Sequence, residues 1–291
     1  MQRLRLKVWS HQSRKTGERY LVKDVLASDA LTVNSFRGLV KTAAEISYRN
    51  PEHVLFFRGQ RSDKKKTIKA RQVSSFYPSL YRSPGTALTE QEIERRFHRL
   101  DEFGRKLLAK LKAQDIAGHD KLVKFPELTW AILQHYEVCA TPLIDLTHSL
   151  RVAASLALKH HGEDGYVFAF GLPHPNGSIT YSVEDELLNI RLLSICPPDA
   201  QRPYFQEGFL AGTFPTRRLR KHPSLDLGRR LIAKFRLIKR GFWDKSFQAI
   251  PEDALFPKND VIEDLCLSIK ESRDVTSRST GRAKSAARRS T

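Results

Sequence analysis

The chain has 291 residues, 40% of them hydrophobic, which allows one or two domains with a sizeable core. Lys and Arg number 50 against 32 Asp and Glu, and this net charge of +18 predicts attraction to polyanions such as nucleotides or nucleic acid. Cys139, Cys196 and Cys266 form no CxxC pair, and the apolar run at 152–158 is far too short to cross a bilayer; zinc, a disulfide framework and a membrane span are thereby disfavoured, and a cytoplasmic protein is expected.

Residues 1–9 and 19–26 alternate as strands. SFRGLVKTAAEISYR (35–49) has helical periodicity, with Asn34 as its N-cap and Pro51 as its stop. Val54 to Phe57 then read as a buried strand ending in Arg58 and Gly59. RSDKKKTIKAR (61–71) shows little periodicity and is expected to be a basic loop, followed by the aromatic turn FYPSLYR (76–82). Thr89 and Glu92 make a capping box for the strongest helix, 90–112, whose apolar stripe includes Ile93, Phe97, Leu100 and Leu107.

A shorter helix at 126–136 precedes a buried strand at 141–147. Residues 148–161 form a helix rich in small side chains, suited to close packing. GYVFAFGLP (165–173) is a strand, and 178–183 pair back on it as a hairpin after the Gly177 turn. Residues 187–195 fit strand or helix, 228–239 a strand, and 244–256 and 258–271 helices separated by Pro257. The last 22 residues carry seven basic and two acidic side chains, and from 272 onward almost nothing large and apolar, so a disordered basic tail is expected over 272–291. The class is α+β.

Chemistry concentrates in three segments. Arg58-Gly59-Gln60 places a planar cation beside a residue without a side chain, which suits anion capture or, alternatively, a structural ion pair with a core carboxylate. Asp145 stands in the apolar run Leu143–Leu146, where a carboxylate is costly unless paired; an arginine partner is expected, with Arg58 a candidate. His135, between Gln134 and Tyr136, is either a hydrogen-bonded structural histidine or a ligand contact. Gln206 and Glu207 precede Gly208 and are either a solvent-facing turn or groups aimed at a sugar hydroxyl. The signatures GxxxxGK(S/T), GxGxxG, HExxH and GxSxG are absent.

Taken in order, Phe57-Arg58-Gly59-Gln60, Tyr77-Pro78-Ser79-Leu80-Tyr81-Arg82, Gln134-His135-Tyr136, Thr141-Pro142-Leu143-Ile144-Asp145-Leu146-Thr147, Gln206 with Gly208-Phe209, and Leu255-Phe256-Pro257 resemble the motifs of the FRG domain, a bacterial family named for its F-R-G motif. The likeness covers about 53–262, with 1–50 as an N-terminal extension, 51–271 as the domain and 272–291 as the tail. Glu137 replaces the family's glycine after QHY, and Leu146 its tryptophan.

The layout is in turn similar to that of ADP-ribosyltransferases, implying a split mixed or antiparallel sheet with helices packed on it. By that resemblance NAD is the substrate: Arg58, Gly59, Gln60, His135 and Thr147 bind it, Gln206 and Glu207 are catalytic, and Asp145 and Tyr136 support them. It further implies a toxin or anti-phage effector, with an antitoxin or a host or phage protein as partner and nucleic acid meeting the basic surface and tail. The alternative is a non-catalytic module that binds a nucleotide or nucleic acid in the same cleft.

Overall fold

The protein is seen in a computed structural model that describes residues 7–83, 85, 88–159 and 164–271. The expected tail at 272–291, and the end of the expected helix at 160 and 161, lie outside the described residues. The described residues form twelve strands: β1 (Lys7–Val8), β2 (Tyr20–Leu21), β3 (Leu31–Val33), β4 (Val54–Gln60), β5 (Lys65–Ile68), β6 (Arg71–Ser74), β7 (Leu143–Thr147), β8 (Gly165–Leu172), β9 (Ile179–Ser182), β10 (Leu187–Arg191), β11 (Gly208–Thr213) and β12 (Leu231–Leu237). Eight form one mixed sheet in the order β3-β12-β8-β4-β7-β11-β10-β9. Only β3 and β12 run parallel; the other neighbours are antiparallel. The fold is α+β.

Central β4 and β8 read as continuous apolar runs because both their faces are covered. One core packs the β3-β12-β8-β4 half against the helices Phe36–Arg49 and Leu150–Ala157, through Leu39, Ile46, Phe56, Ala153 and Phe168. A second packs the helices Glu90–Ala113 and Pro126–His135 on the other half, through Phe97, Leu107, Trp130, Leu188 and Leu210. Thr89 caps the long helix by accepting from the Glu92 N–H. The carboxylate of Glu92 turns instead to Arg95 and Arg96, so the capping box is half closed.

Several boundaries differ from the sequence reading. Ser35, not Asn34, caps the first long helix by accepting from Gly38 N–H. β4 continues through Gln60, so Arg58 lies within a strand and not beyond its end. The expected loop at 61–71 contains most of a hairpin, β5 with β6, whose alternation is hidden because most of its residues face water. β9 pairs with β10 and not with β8. In the stretch 244–256 only Glu252–Leu255 is helical. Residues 31–49 join the main sheet and its core through β3 and the helix that follows it.

Two features place the functional groups. The ladder between β4 and β7 consists of one pair, Phe57 with Thr147, after which the strands part. On β4 the helix Leu150–Ala157 lies against bare backbone: a Cβ at Gly59 would land on the Ala153 carbonyl oxygen and within 2.9 Å of Ala157 N. Gly165 on β8 is equally tight, with the Ala157 carbonyl carbon 2.7 Å from such a Cβ. These neighbours are backbone that cannot rotate away, so overpacking here costs about 3 kcal/mol. Gly59→Ala is therefore expected to lower stability by about that amount in a denaturant titration. Gly177→Ala, whose Cβ would meet nothing nearer than 3.8 Å, is expected to be close to neutral.

Candidate functional site

Where β4 and β7 separate, the side chain of Arg58 takes over from the ladder. Its Nη1 donates to the backbone carbonyl of Asp145 at 2.6 Å, two residues along β7 from the last paired position. The expected pairing of the Asp145 carboxylate with an arginine is not made, because Arg58 meets the main chain of that residue instead. The Asp145 carboxylate is engaged elsewhere: Oδ2 accepts from Gln134 Nε2 at 2.7 Å and Oδ1 lies 3.2 Å from His135 Nδ1. Burial opposes ionisation of Asp145, yet the His135 hydrogen bond and charge, the Arg58 charge and the Gln134 amide together hold its carboxyl below the usual range. Burial likewise lowers the pKa of Arg58, against the attraction of Asp145 and Glu137.

The network continues outward. Gln134 Oε1 accepts from the Thr141 hydroxyl. The Thr141 backbone N–H donates to Ser79 Oγ, and its carbonyl accepts from Leu80 N–H. Segments far apart in sequence are thereby tied to Arg58 through one hydrogen-bonded chain. Gln206 is buried and donates from Nε2 to the Leu255 carbonyl at 2.8 Å, tying its segment to Leu255-Phe256-Pro257.

Arg58, Gly59, Gln60, His135, Asp145, Thr147 and Gln206 all line one cleft of about 240 Å³. Glu207 does not line it: the residue is exposed, with a left-handed backbone at φ 45°. The amide of Gln206 is held by Leu255. The expected catalytic pair therefore offers no carboxylate to the cleft; Asp145 and Glu137 supply those that are there. Tyr136 stands behind the wall, its hydroxyl donating to Asp260 at 2.7 Å. The Thr147 hydroxyl oxygen accepts from Ser149 N–H at the start of the following helix.

Sequence reasoning missed Arg202. It is largely buried in the cleft wall, paired with Glu137 at 3.3 Å and Glu263 at 3.5 Å, with its guanidinium 4.7 Å from the Phe256 ring centre. Nothing local marks it, because its partners come from three other segments. Glu137 occupies a left-handed position, φ 55°, just past the helix Pro126–His135. That is a geometry glycine adopts without strain.

Three buried polar atoms on the cleft walls have no partner among the described residues: His135 Nε2, Arg202 Nε and Gln60 Oε1. Buried polar groups are ordinarily paired, so three unmet atoms on one cleft single it out. His135 is best defined. An ionised carboxylate only accepts, so Asp145 takes the N–H at Nδ1 and leaves Nε2 as the ring nitrogen on the cleft wall. Gly208 gives the ring its space, since a Cβ there would stand 3.3 Å from His135 Cε1. Among the described residues no cluster of His, Cys, Asp or Glu is arranged to hold a metal ion, and no helix is long and apolar enough to cross a membrane.

Asp145 gives the site a signature in acid. Its folded pKa lies below its unfolded one, so its contribution to stability is full above the unfolded carboxylate range, near pH 4, and is lost as pH falls through the folded value. Asp145→Asn is expected to be less stable at pH 7 and to lose less stability than the parent chain between pH 5 and pH 3, as measured by denaturant titrations across that range.

No curated protein and no solved structure matches the chain. The family model of the FRG domain matches residues 53–165, a span from the edge of β4 to the first residue of β8 that holds Arg58, Gln134, His135, Asp145 and Thr147. Arg202, Gln206 and Phe256 complete the cleft from beyond it; over 53–165 the chain is similar to the FRG domain.

Proposed function

We propose that the cleft binds a dinucleotide of the NAD type and transfers its ADP-ribosyl group to a nucleophile. The observation that carries this reading is the set of buried, unpartnered atoms on Gln60, His135 and Arg202 beside the Arg58 guanidinium, all on one cleft. Two guanidinium groups suit a pyrophosphate, for which a planar fork is the best side-chain match. Thr147 and Gln60 offer polar atoms for ribose hydroxyls. The split between β4 and β7 supports the likeness to the sheet of ADP-ribosyltransferases.

In the reaction the C1′–N bond to nicotinamide breaks, nicotinamide leaves as a neutral molecule, and a bond forms from C1′ to an oxygen or nitrogen of the acceptor. The proton lost by the acceptor passes to His135 Nε2, and the resulting imidazolium is stabilised by Asp145. Positive charge developing on the ribose is met by the carboxylate of Asp145, with Glu137 at the rim. Asp145 and His135 thus take on the work that the resemblance gives to Gln206 and Glu207.

His135→Asn is expected to lower kcat for nicotinamide release by about 10²- to 10⁴-fold. Arg58→Lys keeps the charge but loses the fork, and is expected to raise KM about tenfold, in line with the ~1.5–3 kcal/mol of a charged hydrogen bond. Both are read by quantifying nicotinamide from NAD with purified protein and candidate acceptors. Nicotinamide release unchanged by His135→Asn would remove the base from this scheme. NAD that binds the parent chain, and binds Arg58→Lys more weakly, without any nicotinamide appearing would leave a nucleotide-binding module.

A further inference from the structure

Beyond Arg58 lies a second space of about 300 Å³, which shares Arg58 and Gln60 with the cleft and has otherwise separate walls. It is surrounded by Arg58, Lys64, Lys65, Lys66, Arg82 and Lys221, drawn from β4, the β5–β6 hairpin, the turn after Tyr77 and a distant loop. Among the described residues no carboxylate lines it. Lys66 is neutralised from behind by Asp226 at 2.6 Å. Lys64, Lys65 and Lys221 are exposed, and no described carboxylate pairs with them.

The cations are held near one another by specific interactions. The Lys66 and Lys221 ammonium groups each stand 4.6 Å from the centre of the Tyr77 ring. Arg82 Nε donates to the Tyr77 carbonyl at 2.6 Å. Burial and then the neighbouring Arg58 charge lower the pKa of Arg82, against the attraction of Asp226 and Asp145, so like charges crowd one another here. A chamber of this kind is unsuited to a neutral sugar or to a peptide without acidic side chains. It matches a run of phosphates, because its cations come from several directions instead of forming one bidentate fork.

We propose that this chamber holds the phosphodiester backbone of a single-stranded nucleic acid, at a site distinct from the cleft and touching it through Arg58 and Gln60. The chain's net charge of +18 adds the long-range attraction that brings such a strand in. The binding site stands independently of the dinucleotide reading. Only the further consequence, that the strand lies beside the phosphate-binding end of the cleft, rests on it.

The test is binding of a fluorescent single-stranded oligonucleotide to the full chain, without NAD, across a salt series. Lys64→Ala/Lys65→Ala/Lys221→Ala is compared with Lys41→Ala/Lys112→Ala/Lys245→Ala, which removes the same charge from exposed positions away from the chamber. The first variant is expected to bind at least tenfold more weakly and to have a salt slope shallower by about 2, at ~0.7 for each phosphate no longer neutralised. The second is expected to stay within about threefold of the parent, as a general reduction of charge allows. Equal weakening in both variants would overturn the site in favour of diffuse attraction. Inorganic phosphate displacing the oligonucleotide as well as a second oligonucleotide does, per phosphate, would overturn the strand and leave a free-phosphate site. Because no NAD is present, neither outcome bears on nicotinamide release.

Discussion

A guanidinium standing in for a strand–strand hydrogen bond is the constraint on which this molecule turns. At the parting of β4 and β7 the main chain can no longer pair with itself, and Arg58 reaches across to the carbonyl of Asp145. An unpaired buried carbonyl costs more than a hydrogen bond returns, so the arginine is anchored by the sheet before any ligand is considered. The opening left by the parted strands is the cleft. The residue that closes the ladder is also the one that presents positive charge into the gap.

Asp145 shows why the fold and the site are one problem. Its backbone orients Arg58, its carboxylate orients Gln134 and His135, and its strand pairs with β11. A half-buried carboxylate in an apolar strand is tolerated because its neighbours hold its charge. The same arrangement fixes which imidazole nitrogen faces the cleft. The support reaches through Gln134 and Thr141 to Ser79, so the turn after Tyr77 also bears on the geometry at Arg58.

Much of this was legible from residue order. The apolar run into Arg58, the carboxylate in an apolar strand and the capping signal at Thr89 each have a physical reason to be noticed without coordinates. The β5–β6 hairpin was not legible, because a ribbon exposed on most of its residues needs no apolar alternation. Gly59 could be read as a place of close approach, but not that the approaching group is the helix Leu150–Ala157. Arg202 was invisible for a different reason: its burial is set by Glu137, Phe256 and Glu263, and pairings at that separation leave no local pattern. Glu207 misled because adjacency in sequence does not survive a left-handed turn, which sends the two neighbours to different environments.

Glu137 occupies a backbone geometry that glycine would take up freely, and in exchange it sets a carboxylate against Arg202 at the rim. A left-handed non-glycine residue costs about 1–2 kcal/mol, so the acid is kept at the expense of conformational ease. Replacing it by glycine relaxes the chain and at the same time unmasks half of Arg202. One position thus couples the ease of the backbone turn to the balance of charge around Arg202, so that neither can be altered without the other.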